Sequence, residues 1–203
     1  TTYMAAYHEL ACQIRYYVNQ KKMKIFLFTA PDAGEGNTSV VSNLGVCLAK
    51  DFKKKVLIID AHYHQPEVHK NFENSVSPGL VEVLSGQVAL SQACREITPN
   101  LWILAAGDAQ IDPESLLDSQ KMSDILKEAR NSYEVVLIDC ADLRHYRDAI
   151  SLGHFTDAIV LVIAEGKTRR PAISAAIVPL KENNFTIIGA VLNRRTFALP
   201  KFV

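Results

Sequence analysis

Short apolar runs, rich in β-branched residues and closed by turn or capping residues, recur along the chain: "KIFLFTA" (24–30), "KVLIID" (55–60), "LWILAAG" (101–107), "EVVLIDC" (134–140), "DAIVLVIAEG" (157–166) and "TIIGAVLN" (186–193). Their hydrophobicity is nearly continuous rather than alternating, which predicts strands buried on both faces, as in a parallel sheet. Between them, helical patterns predict helices over 37–51, roughly 113–131, 145–154 and 168–182. Strand and helix alternating through right-handed crossovers predict an α/β fold, a doubly wound and mostly parallel sheet sandwiched by helices. The segment 62–100 is less regular, and "GLVEVLSG" and "LSQACREI" within it predict short helices. The first twenty residues predict one leading helix with Leu10, Ile14 and Tyr17 at helical spacing, a candidate oligomerisation element. No repeat, low-complexity tract or linker interrupts the pattern, so residues 1–203 read as one domain.

Composition narrows the class without changing the fold. The 203 residues are 48% hydrophobic and 22% charged, as in a globular protein and unlike a disordered one. Lysine plus arginine equal aspartate plus glutamate at 22 each, without the basic excess that a nucleic-acid partner calls for. Cys12, Cys47, Cys94 and Cys140 are scattered, which predicts buried thiols rather than disulfides or a metal cluster. No apolar run reaches the length of a membrane span and the start is not that of a signal peptide, so the expectation is a soluble cytoplasmic domain.

In such sheets the ligand lies at the carboxyl ends of the strands, here the loops after residues 30, 60, 140 and 193. "APDAGEGNTS" follows a strand and opens a helix, the setting of a phosphate-cradling loop. Gly34 and Gly36 let backbone amides turn inward as an anion nest, and the helix beginning near Asn37 aims its N-terminus at the same point. Thr38 stands where a magnesium-binding hydroxyl belongs. Asp60 and Asp139 each end a strand, where a carboxylate holds magnesium directly or through water and can orient a nucleophile. His62, His64 and His69 cluster near Asp60 without a recognisable ligand spacing and read as surface loop histidines. Asn193 is placed to face a base ring, although "NRR" reads equally as a solvated turn.

One position conflicts with the rest. Asn37 occupies the place of the lysine that ordinarily bridges the β- and γ-phosphates. Such a contact at about 4 Å is worth on the order of 4 kcal/mol at an intermediate dielectric. Losing half of that weakens binding roughly thirtyfold.

The segments "KIFLFTAPDAGEGNTSVVSNLGVCLA", "KKVLIIDAHYHQPEVHKNF", "GLVEVLSGQ", "YEVVLIDC", "RDAISLGHFTDAIVLVIAEGKTRR" and "IIGAVLNRR" run in order along nearly the whole chain. Together they resemble the cytoplasmic domain of bacterial tyrosine kinases (BY-kinases) of capsule and exopolysaccharide synthesis, within the deviant-Walker P-loop group. The resemblance implies a P-loop fold that binds ATP and magnesium at the inner face of the membrane and pairs with a polysaccharide co-polymerase or synthase. Active members assemble into rings and phosphorylate tyrosines on a neighbour's tail. Gly34, Glu35, Gly36, Thr38 and Ser39 match the first motif, Asp60 the first acid of the second, and Asp139 the Walker B acid. The ring-forming pattern of the leading helix is met by Glu9 and Arg15 but has Cys12 for its first arginine. His62 replaces the second acid of the second motif, "CAD" follows Asp139 in place of a Thr-Pro-Pro-like run, and no tyrosine lies beyond Tyr146.

These departures lead to the expectation of a degenerate, kinase-like regulatory or scaffold domain in which ATP or ADP with magnesium binds weakly or not at all. The alternative is an active tyrosine kinase or ATPase in which Lys54, Lys167 or a neighbouring subunit's arginine supplies the missing charge. A third reading, a partition-type positioning ATPase, is disfavoured by the neutral net charge.

Overall fold

The computed structural model describes residues 2–108, 117 and 119–194. The leading helix α1 (Thr2–Lys21) precedes β1 (Ile25–Thr29), α2 (Asn37–Asp51), β2 (Val56–Asp60) and the short helices α3 (Val68–Asn71), α4 (Leu80–Leu84) and α5 (Leu90–Ala93). Then come β3 (Arg95–Thr98), β4 (Leu101–Leu104), α6 (Gln120–Ser132), β5 (Val135–Asp139), α7 (Asp148–Gly153), β6 (Ala158–Ala164), α8 (Arg170–Glu182) and β7 (Ile187–Asn193). The sheet order is β3-β4-β2-β5-β1-β6-β7, and every pairing is parallel except β3 with β4.

Every residue of β1, β2 and β5 is buried, because helices cover both faces. Alternate strand side chains divide between two cores. Phe26, Phe28, Ile58 and Leu137 pack with α1 and α2, whereas Leu27, Ile59 and Ile138 face α4 to α8. Helix α2 lies close on the sheet at Gly45, where a Cβ would stand 2.6 Å from Ile58 Cδ1. Helix α1 buries Tyr7, Ala11 and Ile14, with Leu10 and Tyr17 partly covered, and leaves Glu9 and Arg15 exposed. The Arg15 guanidinium rests 4.4 Å over the Phe52 ring of the same chain.

Three sequence expectations are corrected. "LSQACREI" is not one helix: α5 stops at Ala93, Cys94 is extended, and Arg95–Thr98 joins the sheet edge antiparallel to β4. Four residues carry too little pattern to reveal a strand that only its partner stabilises. The helix expected over 145–154 starts at Asp148, because Asp142 accepts from the Arg144 and His145 amides and holds that stretch in a turn. Of the four free thiols Cys47 and Cys140 are buried, but Cys12 and Cys94 are only partly so. The start of the helix expected over 113–131 lies outside the described residues. No described helix is long and apolar enough to cross a membrane.

Candidate functional site

The loop after β1 takes its shape from two left-handed glycines, Gly34 (φ 70°) and Gly36 (φ 86°), a conformation that penalises any side chain. At Gly36 a Cβ would also stand 2.3 Å from Asn193 Nδ2. That amide donates to the Glu35 carbonyl at 2.9 Å, so Asn193 props the loop. One N–H of its amide is used there, and the second N–H and Oδ1 remain for a base ring. The Glu35 side chain is buried and accepts from the Ala164 amide and the Thr168 hydroxyl. Lys167 Nζ bonds the Ala33 carbonyl and lies 3.8 Å from the same carboxylate. Glu35 therefore ties the phosphate loop to the β6–α8 connection and is itself no phosphate ligand. Ser39 lies exposed at the start of α2, lining the cavity over the loop.

Asp60 and Asp139 are direct register partners on adjacent strands, and both are fully buried. Asp60 accepts from three backbone amides, those of His62 (3.1 Å), Glu67 (3.2 Å) and Val68 (3.1 Å). Burial nevertheless pushes its pKa up to about 6. Asp139 is held by side chains instead: Asn37 Nδ2 at 2.5 Å and the Thr38 hydroxyl. Burial first, and the Asp60 carboxylate second, push its pKa well above the ordinary range.

Asn37 sits at the centre of this arrangement. Its amide nitrogen also donates to the Phe28 carbonyl (3.0 Å) and the Cys140 carbonyl (3.2 Å), bridging the ends of β1 and β5. The residue in the place of the phosphate lysine thus aims its donors into the sheet. Asn37 Oδ1 and Asp139 Oδ2 remain buried without a hydrogen-bond partner. Two orphan acceptors beside the Thr38 hydroxyl are a donor set that suits a hard divalent cation. Asp60, its register partner, uses three of its acceptor sites on the loop 62–68, one on Oδ1 and two on Oδ2, so that Oδ1 keeps acceptor capacity toward the same end of the sheet.

A cavity of about 240 Å³ opens over the loop, between Gly34–Ser39 and the segments carrying His62, Glu67 and Asp142. The three histidines near Asp60 do not converge. His62 is half-buried with its pKa lowered by burial, His64 stacks on Tyr146 at 3.7 Å beside Asp148 (3.3 Å), and His69 lies apart on α3. Among the described residues, the group whose ligand atoms do approach one another, within 4.8 Å, is Asp32, Asp142 and His145. Its bonds are internal: His145 Nδ1 lies 2.7 Å from Asp142 Oδ1, and Arg144 pairs with Asp32 at 2.7 Å. Asp142 and His145, three residues apart, are a local signal the sequence reading passed over; Asp32 joins them only through the fold. Lys54 pairs with Glu134 at 2.8 Å, before the start of β2 and hence at the opposite end of the sheet, so it cannot serve the loop.

The model of the AAA domain family matches residues 23–167. Tyrosine-protein kinase YwqD of Bacillus subtilis is 33% identical over 190 residues, covering 92% of this chain and 79% of that protein. Tyrosine-protein kinase ptk of Acinetobacter johnsonii is 25% identical over 89% of this chain, but the match spans only 25% of that longer relative. Among solved structures, the kinase domain of VpsO superposes with a TM-score of 0.86 at 27% identity, covering 96% of this chain and 97% of that one.

Proposed function

The chain belongs to the bacterial tyrosine-kinase (BY-kinase) family of AAA-domain, P-loop proteins, and from that premise we propose that it is a kinase-like domain kept for regulation or scaffolding, in which phosphoryl transfer has been lost. In this reading it works as one unit beside a membrane polysaccharide co-polymerase or synthase in capsule or exopolysaccharide synthesis. The partner places it at the inner face of the membrane. Glu9 and Arg15, both exposed on α1, are the residues through which copies would associate.

The observation that carries the reading is the Asn37 amide. Its three hydrogen bonds run to Asp139, the Phe28 carbonyl and the Cys140 carbonyl, so the site's catalytic-cation position has become a structural tie. The backbone nest around Gly34 and Gly36 remains, and can still hold a phosphate. A bound magnesium ion would offset phosphate charge, held by the Thr38 hydroxyl and the free Asp139 oxygen. Without a cation reaching forward from position 37, charge gathering on a transferring phosphoryl group goes largely uncompensated.

The test pairs Mg-ATP calorimetry with a tyrosine phosphorylation and ATP hydrolysis assay on the unaltered protein and on Asn37→Lys. The expected result is no tyrosine phosphorylation, weak nucleotide binding, and hydrolysis at least about tenfold slower than in the lysine variant. Robust phosphorylation by the unaltered protein overturns the proposal.

A further inference from the structure

The cavity over the phosphate loop is acidic. Asp32, Glu35, Glu67 and Asp142 line it, and among the described residues Arg194 is the one lysine or arginine that does. A polyphosphate would be repelled there unless a cation offset the carboxylates. The neighbouring cations are committed elsewhere: Lys167 to the Ala33 carbonyl and Glu35, and Arg144 to Asp32. Arg194, in contrast, is exposed and pairs with no carboxylate among the described residues.

Its position follows from the fold. Asn193, at the end of β7, is in register with Ala164 and bonded to the Glu35 carbonyl, which brings the next residue over the loop. Arg194 is left-handed (φ 55°), a turn that leaves the line of the strand. Its Nε lies 3.9 Å from where a Cβ of Gly36 would stand, beside the glycine that shapes the anion nest. A guanidinium there presents a planar fork of donors suited to phosphate oxygens.

We infer that Arg194 supplies from the end of β7 the phosphate-holding charge that Asn37 cannot supply from the start of α2, and so binds the terminal phosphates of a nucleoside di- or triphosphate. The inference rests on the proposed weak nucleotide site but not on whether phosphoryl transfer is lost. Its ligand is read by affinity alone, whereas the loss of transfer is read by phosphorylation.

Calorimetry of the full chain with Mg-ADP, and separately with AMP, tests it on Arg194→Ala and Arg194→Lys. Arg194→Gln, which keeps the stem and a donor without the charge, is the second uncharged variant, and circular dichroism verifies folding of each. Removing the guanidinium is expected to weaken Mg-ADP about tenfold to a hundredfold while leaving AMP unchanged, with partial recovery in the lysine variant. Three results overturn the inference: unchanged ADP affinity in both uncharged variants, an equal loss for AMP and ADP, or no measurable Mg-ADP binding by the unaltered chain.

Discussion

Asp60 and Asp139 end neighbouring strands, face each other in register, and are equally buried, yet the fold uses them differently. Asp60 accepts from three backbone amides, with a bond on each oxygen, and pins the loop 62–68. Asp139 is held by two side chains of the phosphate loop and keeps one oxygen without a partner. Two acids that look interchangeable at strand ends thus differ: one anchors a loop through backbone amides, and the other carries a buried oxygen without a hydrogen-bond partner. The acid with the unpartnered oxygen can receive a cation there without giving up an existing hydrogen bond.

The two acids differ most in what their removal costs, and the larger loss belongs to Asp60. Asp60→Ala takes the acceptor from three amides, one buried and two part-buried, and is expected to cost about 3 kcal/mol in urea unfolding. Asp139→Asn keeps the shape and removes a buried charge, so it should fall within about 1 kcal/mol of the unaltered protein or exceed it. Equal losses in the two variants would erase the distinction. Next comes Asn37→Ala, which takes one donor from Asp139, still bonded by Thr38, one from the Phe28 carbonyl, still bonded by the Cys140 amide, and the Asn37 donor from the Cys140 carbonyl. A loss of about 1–3 kcal/mol is expected by the same measurement.

Proton linkage sharpens the point. Both acids have pKa values raised in the fold, so the folded state binds protons more tightly than the unfolded one. Their contribution is therefore most favourable at acid pH and is lost as pH rises, through about 6 for Asp60 and in the same direction for Asp139, whose pKa burial also raises well above the ordinary carboxylate range. The unaltered protein should lose stability relative to Asp139→Asn as pH is raised from about 4 to about 7. A constant difference across that range would show that Asp139 does not titrate as its burial requires. Gly36→Ala, facing both a left-handed φ and the Asn193 amide, should cost about 1–2 kcal/mol. The smallest effect belongs to Lys54→Ala, below about 1 kcal/mol for an ion pair partly open to solvent. It should leave Mg-ADP affinity unaltered, since Lys54 stands at the far end of the sheet.

Strands were legible where burial on both faces makes a run continuously apolar, as in β1, β2 and β5. The strand β3 was not, because its four residues alternate in exposure and gain their structure from β4. The loop residues were legible as a group from two glycines, a strand before and a helix after. Their individual roles were not. Glu35 reads as a loop residue, but its carboxylate belongs to Thr168 and Ala164, more than a hundred positions away. Asn193 reads as a base-facing residue, and its bond to the Glu35 carbonyl is a loop-supporting role that its position in the sequence does not show. Arg194, in a turn that reads as solvated, comes to flank Gly36.

By itself the sequence determined the alternation of strand and helix, the carboxyl-end location of the site, and the loss of a lysine at position 37, since these depend on local pattern and residue identity. The direction of the Asn37 amide, the unpartnered oxygen on Asp139 and the approach of Lys167 and Arg194 to the loop emerge only in three dimensions. Those outcomes depend on hydrogen-bond directions between segments far apart in the chain, and residue type alone does not encode direction.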